Sequence, residues 1–576
     1  MKKITLSLVC LLTMTTMASA QTNSLGSFKQ LGTKSFTGIV TDANASRSNV
    51  MAYGSDNSLF TSGMFDTEFE GLTPVATSSY LMKSNSSLVS TWKIAIAGAA
   101  KVTTMISDNN GGVYVAGTLA DEVIFNSIDG KSATLTGYKE GDAYTTDKCA
   151  SFLAHYDKDG NLLKANTILP VHDASLDATG AYYPGGGDIY CRINGLALEN
   201  NKLYASIVYS GQISNADNSV TIKSGSMDME GGGYYFMSLK AAAVAVLNDN
   251  LGVTSFPITL ASRPFTELYT SEQVNYFTMT SANNHLYIGF VATGTDKIKS
   301  FDEDEKSFTF TAPAEGTNYG YGVADIDLSA QKTNAIKTWE SPTTESYSST
   351  EIDNIAVSGD NLILSGIFQD KLGFDNSITA TGSNDIFAAS LSMSNLSVNW
   401  AKATAYDEGD ATKNEEIMTC SALAGDNLYV GGYTSLKANH SLTAPLLYSF
   451  NLKTGAVVKN SNDTYDFGMI TSSDNKSTAV AYTTSPITGI SFVNYDLTSG
   501  INSVKSTDNG ITTTYSAATG NITFNKACNA EIITADGKVA TKVSGTKSVS
   551  IQGLTNGLYF VRTTVNGVTS TVKIVK

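Results

Sequence analysis

The chain has 576 residues, a net charge of −15 and only 16% charged residues. This length is enough to bury a core without covalent staples, and the acidic balance argues against binding to nucleic acid or to anionic membrane surfaces. Residues 505–576 differ from the rest, with eight Lys or Arg against three Asp or Glu. The change of sign indicates a domain boundary near residue 505.

Residues 1–20 have the pattern of a secretory signal peptide. Lys2 and Lys3 precede the apolar run 4–12, which is too short to span a bilayer. The alternative is a buried N-terminal helix. The predicted cleavage residues are Ala18, Ala20 and Gln21. No other segment approaches eighteen consecutive apolar residues, so we expect an exported protein at the cell surface or outside the cell, without a transmembrane segment.

The body, residues 21–504, is repetitive. Short β-runs that end in small residues recur, usually after a turn rich in Asn, Asp and Gly, at residues 59–63, 113–117, 203–207, 286–290, 362–366 and 428–432. A further β-run follows four of them, at 79–82, 151–154, 385–389 and 447–450. All three tryptophans, Trp92, Trp339 and Trp400, fall at one position of this repeat, at the start of the next run. The unit is therefore a set of short strands.

Four short strands in a radially repeated unit predict an all-β fold, a β-propeller of six or seven blades. The runs with small residues at their ends are expected to be the innermost strands, because space beside the central channel is tight. The pattern resembles the bacterial β-propeller repeat of secreted proteins, most closely at 105–165 and 355–405. A string of β-sandwich domains is the alternative architecture.

Residues 505–576 contain two hairpin signals, Asp536-Gly537 and Asn566-Gly567, each between β-rich runs. The order of motifs resembles the C-terminal sorting domain of the type IX secretion system of Bacteroidetes, although the proline-containing opening segment of that family is missing at 514–518. The residues that carry the resemblance are Asp536, Gly537, Gly557, Tyr559, Asn566, Gly567, Lys573 and Lys576. An ordinary terminal β-sandwich that assists binding is the alternative.

This resemblance implies a small immunoglobulin-like β-sandwich that is read by the outer-membrane export and sorting machinery. It also implies that the sandwich is usually removed when the protein is attached to surface polysaccharide. The prediction is therefore three segments: a signal peptide at 1–20, a propeller at 21–504 and a sorting domain at 505–576.

Motifs for chemistry are sparse, and the sequence predicts no catalytic residue, cofactor or metal. The four histidines lack metal-ligand spacing. Residues 157–161 resemble the start of a calcium loop, but Leu162 replaces its glycine, so an Asp-Gly hairpin turn is favoured. Residues 506–512 match part of a sialidase-type Asp box in a single copy. The acidic clusters at 302–305, 407–410 and 415–416 are expected to stay solvated in loops.

The mature cysteines, Cys149, Cys191, Cys420 and Cys528, are too far apart in sequence for a disulfide framework. Cys149 and Cys191 can pair in an oxidising compartment, and buried thiols are the alternative.

Tyrosine-rich, glycine-flanked loops provide the candidate ligand contacts Tyr182, Tyr183, Tyr234 and Tyr235, because aromatic faces stack on sugars and peptides. The sequence therefore predicts a protein that is not an enzyme and that binds a glycan or a protein at the loop face of the propeller. The alternatives are a polysaccharide-acting enzyme or a structural adhesion protein. Carboxylates that converge at one end of the channel, or a carboxylate pair with shifted pKa values, would favour the enzyme.

Overall fold

A computed structural model of the chain describes residues 29–36, 50–75, 78–137, 150–171, 190–224, 226–228, 236–238, 241–260, 277–293, 295–301, 304–309, 317–343, 351–381, 383–404, 414–424, 426–436, 441–459, 465–473, 477–484, 490–496, 511, 513–516, 519–534, 537–555, 557–565 and 568–576. The described residues are all-β, and they fall into a larger unit, within 33–474 and 479–493, and a smaller unit that contains 494–576 together with 29–32 and 477–478.

The strands up to residue 496 form one series and follow one another in groups of four or more. They are β1 (Lys29–Phe36), β2 (Val50–Tyr53), β3 (Leu59–Phe65), β4 (Ser78–Ser84), β5 (Ser90–Ala97), β6 (Ala100–Ser107), β7 (Val113–Leu119), β8 (Glu122–Asn126), β9 (Ser132–Thr136), β10 (Ala150–Tyr156), β11 (Leu162–Ile168), β12 (Tyr190–Glu199), β13 (Lys202–Ser210), β14 (Gln212–Ser214), β15 (Thr221–Lys223), β16 (Ser226–Asp228), β17 (Phe236–Ser238), β18 (Ala241–Leu247) and β19 (Val253–Leu260).

The second half of this series continues the pattern. Its strands are β20 (Phe277–Ala282), β21 (His285–Thr293), β22 (Thr295–Ser300), β23 (Asp304–Thr309), β24 (Thr317–Asp327), β25 (Lys332–Thr343), β26 (Glu351–Ser358), β27 (Asn361–Phe368), β28 (Asp385–Ser392), β29 (Val398–Ala403), β30 (Asn414–Ala424), β31 (Asn427–Leu436), β32 (Ser441–Asn451), β33 (Val457–Lys459), β34 (Tyr465–Ser473), β35 (Ser477–Thr484) and β36 (Ile490–Asp496).

In the part of the chain that the structure describes, seven antiparallel sheets, which we call blades 1 to 7, use these strands in chain order. Their four main strands are β2 to β5 in blade 1, β6, β7, β10 and β11 in blade 2, β12, β13, β18 and β19 in blade 3, β20, β21, β24 and β25 in blade 4, β26 to β29 in blade 5, and β30 to β33 in blade 6. Blade 7 combines β34, β35 and β36 with the N-terminal strand β1.

The blades form a closed ring. The first strands contact each other in series, β2 with β6, then β12, β20, β26, β30 and β34, and β34 contacts β2 again. Each main hydrophobic cluster draws side chains from two neighbouring blades, as Phe60 and Trp92 of blade 1 pack with Val115 and Phe152 of blade 2. This ring is the β-propeller that the repeats predicted. None of the described residues forms a helix long and apolar enough to cross a membrane.

Two hairpins extend neighbouring blades. The hairpin β8–β9 leaves blade 2 and pairs with β5 of blade 1, and the hairpin β22–β23 leaves blade 4 and pairs with β19 of blade 3. They are the inserted segments that lengthen two of the repeats.

The runs that end in small residues are second strands, so their prediction as innermost strands is wrong. Their glycines lie opposite a bulge in the first strand. A Cβ atom would overlap the carbonyl oxygen of Lys101 at Gly117 and that of Glu351 at Gly366. In both blades the register of the first strand shifts next to this glycine. The bulge brings a backbone oxygen to where a side chain would begin, and only glycine leaves room for it.

The tryptophans occupy fourth strands, as their shared repeat position predicted. The Nε1 of Trp92 donates to the Lys158 carbonyl at 3.0 Å, and that of Trp400 donates to the Leu452 carbonyl at 3.0 Å. In each case the acceptor lies in the turn before the fourth strand of the next blade, and a glycine with positive φ, Gly160 or Gly455, packs against the indole. These contacts join neighbouring blades.

The smaller unit has strands β37 (Thr513–Ser516), β38 (Asn521–Thr534), β39 (Val539–Ser550), β40 (Leu558–Val565) and β41 (Val568–Val575). The sheet order is β37-β38-β40-β41, and β39 pairs with β38. The pairing of β38 with β39 is interrupted between Thr523 and Cys528. One core, which includes Ile522, Ile532 and Val561, lies within this unit.

Candidate active site

Buried carboxylates lie at or near the starts of strands in blades 5 and 6. Glu416, on β30, is 2% exposed, Asp385, at the start of β28, is 2% exposed, and Glu351, at the start of β26, is 7% exposed. These residues stand near the beginnings of first or third strands. The first and third strands of an antiparallel blade run in the same direction, so the three carboxylates lie at the same end of their blades.

The side chain of Glu416 connects the two blades. Its Oε2 accepts the backbone N–H of Ile386 at 3.0 Å and the hydroxyl of Thr404. Its Oε1 accepts the hydroxyl of Tyr448 at 3.0 Å. The first two donors belong to blade 5 and Tyr448 belongs to blade 6. Three donors therefore surround a carboxyl group that is removed from water.

The backbone holds Glu416 against the end of a blade 5 loop. Its N–H donates to the Asn384 carbonyl at 3.1 Å. The Asn384 side chain accepts from Nε2 of Gln369 at 2.9 Å in a buried amide pair. Next to it, Oδ2 of Asp385 accepts the N–H of Thr381 at 2.9 Å. The loop between β27 and β28 thus fixes Asp385 beside Glu416.

The pKa of Glu416 is raised from its ordinary value of 4.5 to about 7. Burial is the main cause, because it disfavours the charged form, and the nearby negative charge of Asp385 raises the pKa further. The hydrogen bonds from Thr404, Ile386 and Tyr448 act in the opposite direction. Glu416 consequently keeps its proton close to neutral pH, which is the property that a general acid needs.

The expectation that the cluster 415–416 is a solvated loop is wrong. Both residues belong to β30, and Glu415 is only 9% exposed. The repeat places this pair at the beginning of a first strand, and that position is the sequence signal for burial. Adjacent acidic residues are usually solvated, so their types alone indicate the opposite.

The ligand contacts that the sequence predicts lie outside the described residues: Tyr182, Tyr183, Tyr234 and Tyr235. Cys149 and residues 506–510 of the partial Asp box lie outside them as well. Ala18, Ala20 and Gln21 at the predicted cleavage site and Asp536, Asn566 and Gly567 of the sorting motif also lie outside them. The structure therefore does not test these predictions.

The remaining sorting-motif residues have defined places. Gly537 has φ of 84° in the turn between β38 and β39. Gly557 exchanges backbone hydrogen bonds of 3.2 and 2.9 Å with Lys576. Tyr559 is buried, and its hydroxyl donates to the Thr555 carbonyl at 2.7 Å. Lys573 is exposed on β41.

The calcium-like segment 157–161 is a hairpin turn, as favoured. The Oδ1 of Asp157 accepts the N–H groups of Asp159 and Asn161 at 2.9 and 2.8 Å, and Gly160 has φ of 83°. His155 is a strand residue of β10 whose Nε2 lies 2.9 Å from Oδ2 of Asp108. This pair lies at the opposite end of the blades from Glu416, near the turns that follow first and third strands.

Comparisons with known proteins give similarity at the level of fold. No family model matches the chain, and no curated protein matches it. Among solved structures, the Hadza microbial sialidase Hz136 is 9% identical, with TM-score 0.32, over 81% of this chain and 69% of that one. An α-L-arabinofuranosidase, Arb93A from Fusarium graminearum, is 11% identical, with TM-score 0.35, over 73% and 99%. Prolyl oligopeptidase B from Galerina marginata is 10% identical, with TM-score 0.35, over 90% and 56%.

These findings correct one prediction. The sequence predicted a protein that is not an enzyme, and the solved structures, which include two glycosidases and a peptidase, contradict that prediction. At 9–11% identity the likeness extends to the fold and not to an activity. The fold is that of an all-β propeller.

Proposed function

We propose that the protein acts on polysaccharide as a glycoside-cleaving enzyme, with its site at the end of blades 5 and 6 where Glu416 and Asp385 meet. One observation carries the proposal. Glu416 has its pKa raised to about 7 by burial and by Asp385, so the site pairs a carboxyl group that holds a proton with a second carboxylate. Glycoside cleavage uses this combination, an acid that protonates the leaving oxygen and a carboxylate that assists the attack on the sugar.

In this proposal Glu416 donates its proton to the glycosidic oxygen, and a neighbouring carboxylate acts as the nucleophile or as the base for water. Asp385 and the adjacent Glu415 are the candidates for that second role. Thr404 and Tyr448 cover the carboxyl group of Glu416. The proposal therefore requires at least one of these hydroxyls to give way when a sugar binds.

The test compares the mature full-length protein with its Glu416→Gln variant on a panel of polysaccharides and aryl glycosides. Glutamine keeps the size of the side chain and an acceptor oxygen but cannot release a proton. We expect the rate of sugar release to fall by about 10²–10⁴-fold, the usual contribution of a general acid. Glu531→Gln, in the smaller unit, is the matched control and should leave the rate unchanged.

Two results would contradict the proposal. One is the absence of sugar release by the wild-type protein on every substrate of the panel, combined with tight binding of one of those glycans. The other is a Glu416→Gln variant that cleaves as fast as the wild type.

We also propose that residues 505–576 direct the protein through type IX secretion to the cell surface or the medium. The support is the resemblance of the sequence motifs and the independent core of the smaller unit. Deleting residues 505–576 should leave the propeller inside the cell envelope. Normal export of the deleted protein would contradict this second proposal.

A further inference from the structure

The hydroxyl group of Thr404 has more acceptors than it can serve at once. Thr404 follows β29 and is 3% exposed. The N–H of Ile386 donates to its hydroxyl oxygen at 3.1 Å. Two acceptors lie within reach of its proton, the Ile386 carbonyl oxygen at 3.0 Å and Oε2 of Glu416. A hydroxyl group has one proton to donate and can also accept, so Thr404 donates either to Ile386 or to Glu416.

This choice lets Thr404 pair with Oε2 of Glu416 in every protonation state of the carboxyl group. If Oε2 carries the proton, the Thr404 oxygen accepts it, and the Thr404 proton turns to the Ile386 carbonyl oxygen. If Oε2 carries no proton, Thr404 donates to it, and the Ile386 carbonyl keeps the backbone N–H of Thr404 at 2.8 Å. Neither state leaves one of these buried groups without a partner, which would cost free energy.

The hydroxyl group at this joint does not come from its usual place in the repeat. The relevant position is the third-strand residue just before the one that pairs with the second-strand glycine, and blades 1 and 2 have Ser79 and Ser151 there. Each serine hydroxyl donates to a first-strand carbonyl of the next blade, at 2.6 and 3.0 Å. Blade 5 has Ile386 at this position, and Thr404 supplies the hydroxyl, which faces the carboxyl group of Glu416. The joint of blades 5 and 6 therefore differs from these two joints around a group that holds a proton.

The two oxygens of Glu416 are held differently. Oε2 accepts from the Ile386 N–H at 3.0 Å and from Thr404, which is itself bonded to Ile386 through its backbone and its hydroxyl. Oε1 accepts from the Tyr448 hydroxyl at 3.0 Å. Displacing Thr404 would also disturb its bonds to Ile386, whereas Oε1 is exposed to a ligand once the Tyr448 hydroxyl moves away. Oε1 is therefore the oxygen that a sugar can reach at the lower cost.

We infer that Thr404 is a positioning residue that stays on Oε2 of Glu416 throughout the reaction, so that Oε1 delivers the proton and Tyr448 is the hydroxyl that gives way to the sugar. The inference rests on the proposed function and assigns the roles of the two hydroxyls in it. The proton moves from Oε1 to the glycosidic oxygen as the bond between that oxygen and the anomeric carbon breaks. The second carboxylate, or the water that it activates, bonds to that carbon. Thr404 then donates to the carboxylate that remains, and this charge-assisted bond is stronger than a neutral one, so it favours release of the proton.

The first test is the pH profile of sugar release by Thr404→Val, which keeps the shape of the side chain and removes the hydroxyl. We expect kcat to fall about tenfold with KM unchanged, and the alkaline decline of the rate to move up by about one pH unit, because the carboxylate loses a charge-assisted donor. The hydrogen bond from Thr404 acts in the same sense in the wild type, where it lowers the pKa of Glu416. Thr404→Ser keeps a hydroxyl and should restore both values. Thr103→Val removes a 2.9 Å hydrogen bond between blades 2 and 3, and as the matched control it should leave both unchanged.

Urea denaturation tests the pairing of Thr404 with Glu416 without a substrate. The loss of stability that accompanies release of the Glu416 proton should extend about one pH unit higher in Thr404→Val than in the wild type. An unchanged pH dependence in Thr404→Val, or a Thr404→Ser variant that behaves like Thr404→Val, would overturn the inference and leave Glu416 as the acid.

The two hydroxyls are distinguished by a third variant, Tyr448→Phe. If Tyr448→Phe is slowed while Thr404→Val cleaves at the wild-type rate, Thr404 is the group that gives way, and the inference is overturned. If the wild type releases no sugar while urea denaturation shows the shift in Thr404→Val, the proposed function fails and the pairing of Thr404 with Glu416 stands.

Discussion

Replacement of Glu416 by glutamine should change how the stability of the propeller depends on pH. In the folded protein the pKa of Glu416 is about 7, and in the unfolded chain it returns to its ordinary value of 4.5. The folded state therefore binds the proton more tightly than the unfolded state. The stability that this proton contributes is complete below pH 4.5 and is lost as the pH rises through 7.

The difference between 4.5 and about 7 corresponds to a free energy of about 3 kcal/mol. Through this one group, the wild-type protein should lose about 3 kcal/mol of unfolding free energy between pH 4.5 and pH 8. Glutamine does not ionise, so the variant should lack this loss. The stability of Glu416→Gln relative to the wild type should accordingly rise by about 3 kcal/mol across the same range.

Urea denaturation followed by tryptophan fluorescence measures this directly. All three tryptophans belong to blades 1, 4 and 5, so the signal reports on the propeller and not on the smaller unit. Glu531→Gln is the control: the pKa of Glu531 is lowered by Lys542 and Arg562, and its unit lacks tryptophan. Identical pH dependence of the wild type and Glu416→Gln would refute the reasoning about burial and Asp385.

Three further predictions concern the joints of the propeller. Gly366→Ala should destabilise it by about 1–3 kcal/mol, because the new Cβ overlaps the Glu351 carbonyl oxygen; urea denaturation measures the loss. Trp400→Phe should cost about 1 kcal/mol by the same assay, because it removes the 3.0 Å bond to the Leu452 carbonyl. Lys83→Met should cost about 1–3 kcal/mol in thermal unfolding, since the Lys83 side chain is 6% exposed. Its ammonium donates to three oxygens, those of the Asp56 carboxylate and of the Gly111 and Lys158 carbonyls.

Each of these has a control or a contrary outcome. Gly195→Ala, on the first strand of blade 3, places its Cβ 3.2 Å from the Ser206 hydroxyl and 4.0 Å from the Met279 nitrogen, and it should be tolerated much better than Gly366→Ala. Equal stability of Trp400→Phe and the wild type would mean that water replaces the indole as the donor to the Leu452 carbonyl. A Lys83→Met variant as stable as the wild type would show that Asp56, with 49% of its side chain exposed, is satisfied by solvent.

The sequence predicts the propeller architecture because several residue types recur at fixed positions of the repeat. Trp92, Trp339 and Trp400 mark fourth strands, and the turns of Asn, Asp and Gly mark the ends of first strands. The order of strands within a blade was misread for a physical reason. The second strand is buried on both faces, as the continuous burial of β27 shows, and so it gives the strongest apolar signal. The first strand carries a bulge and is only partly buried, as in β26.

The candidate site was much harder to predict. Two adjacent glutamates at 415–416 indicate solvent, since a buried carboxyl group needs partners. The partners of Glu416 are the N–H of Ile386, 30 residues away, and the hydroxyl of Tyr448, 32 residues away. Neither has a recognisable spacing in the sequence. The ring of blades brings them together, so only the structure reveals that Glu416 is buried with its proton.

The most direct test of the account is the rate of sugar release as a function of pH, measured on the wild-type protein with the polysaccharide that it cleaves best. If Glu416 is the general acid, the rate should decline about tenfold for each pH unit above about 7, as the carboxyl group loses its proton. The Glu416→Gln variant should show neither this activity nor this decline. A wild-type rate that stays constant up to pH 9, or the same profile in the variant, would contradict the assignment of Glu416 and Asp385 as the working pair.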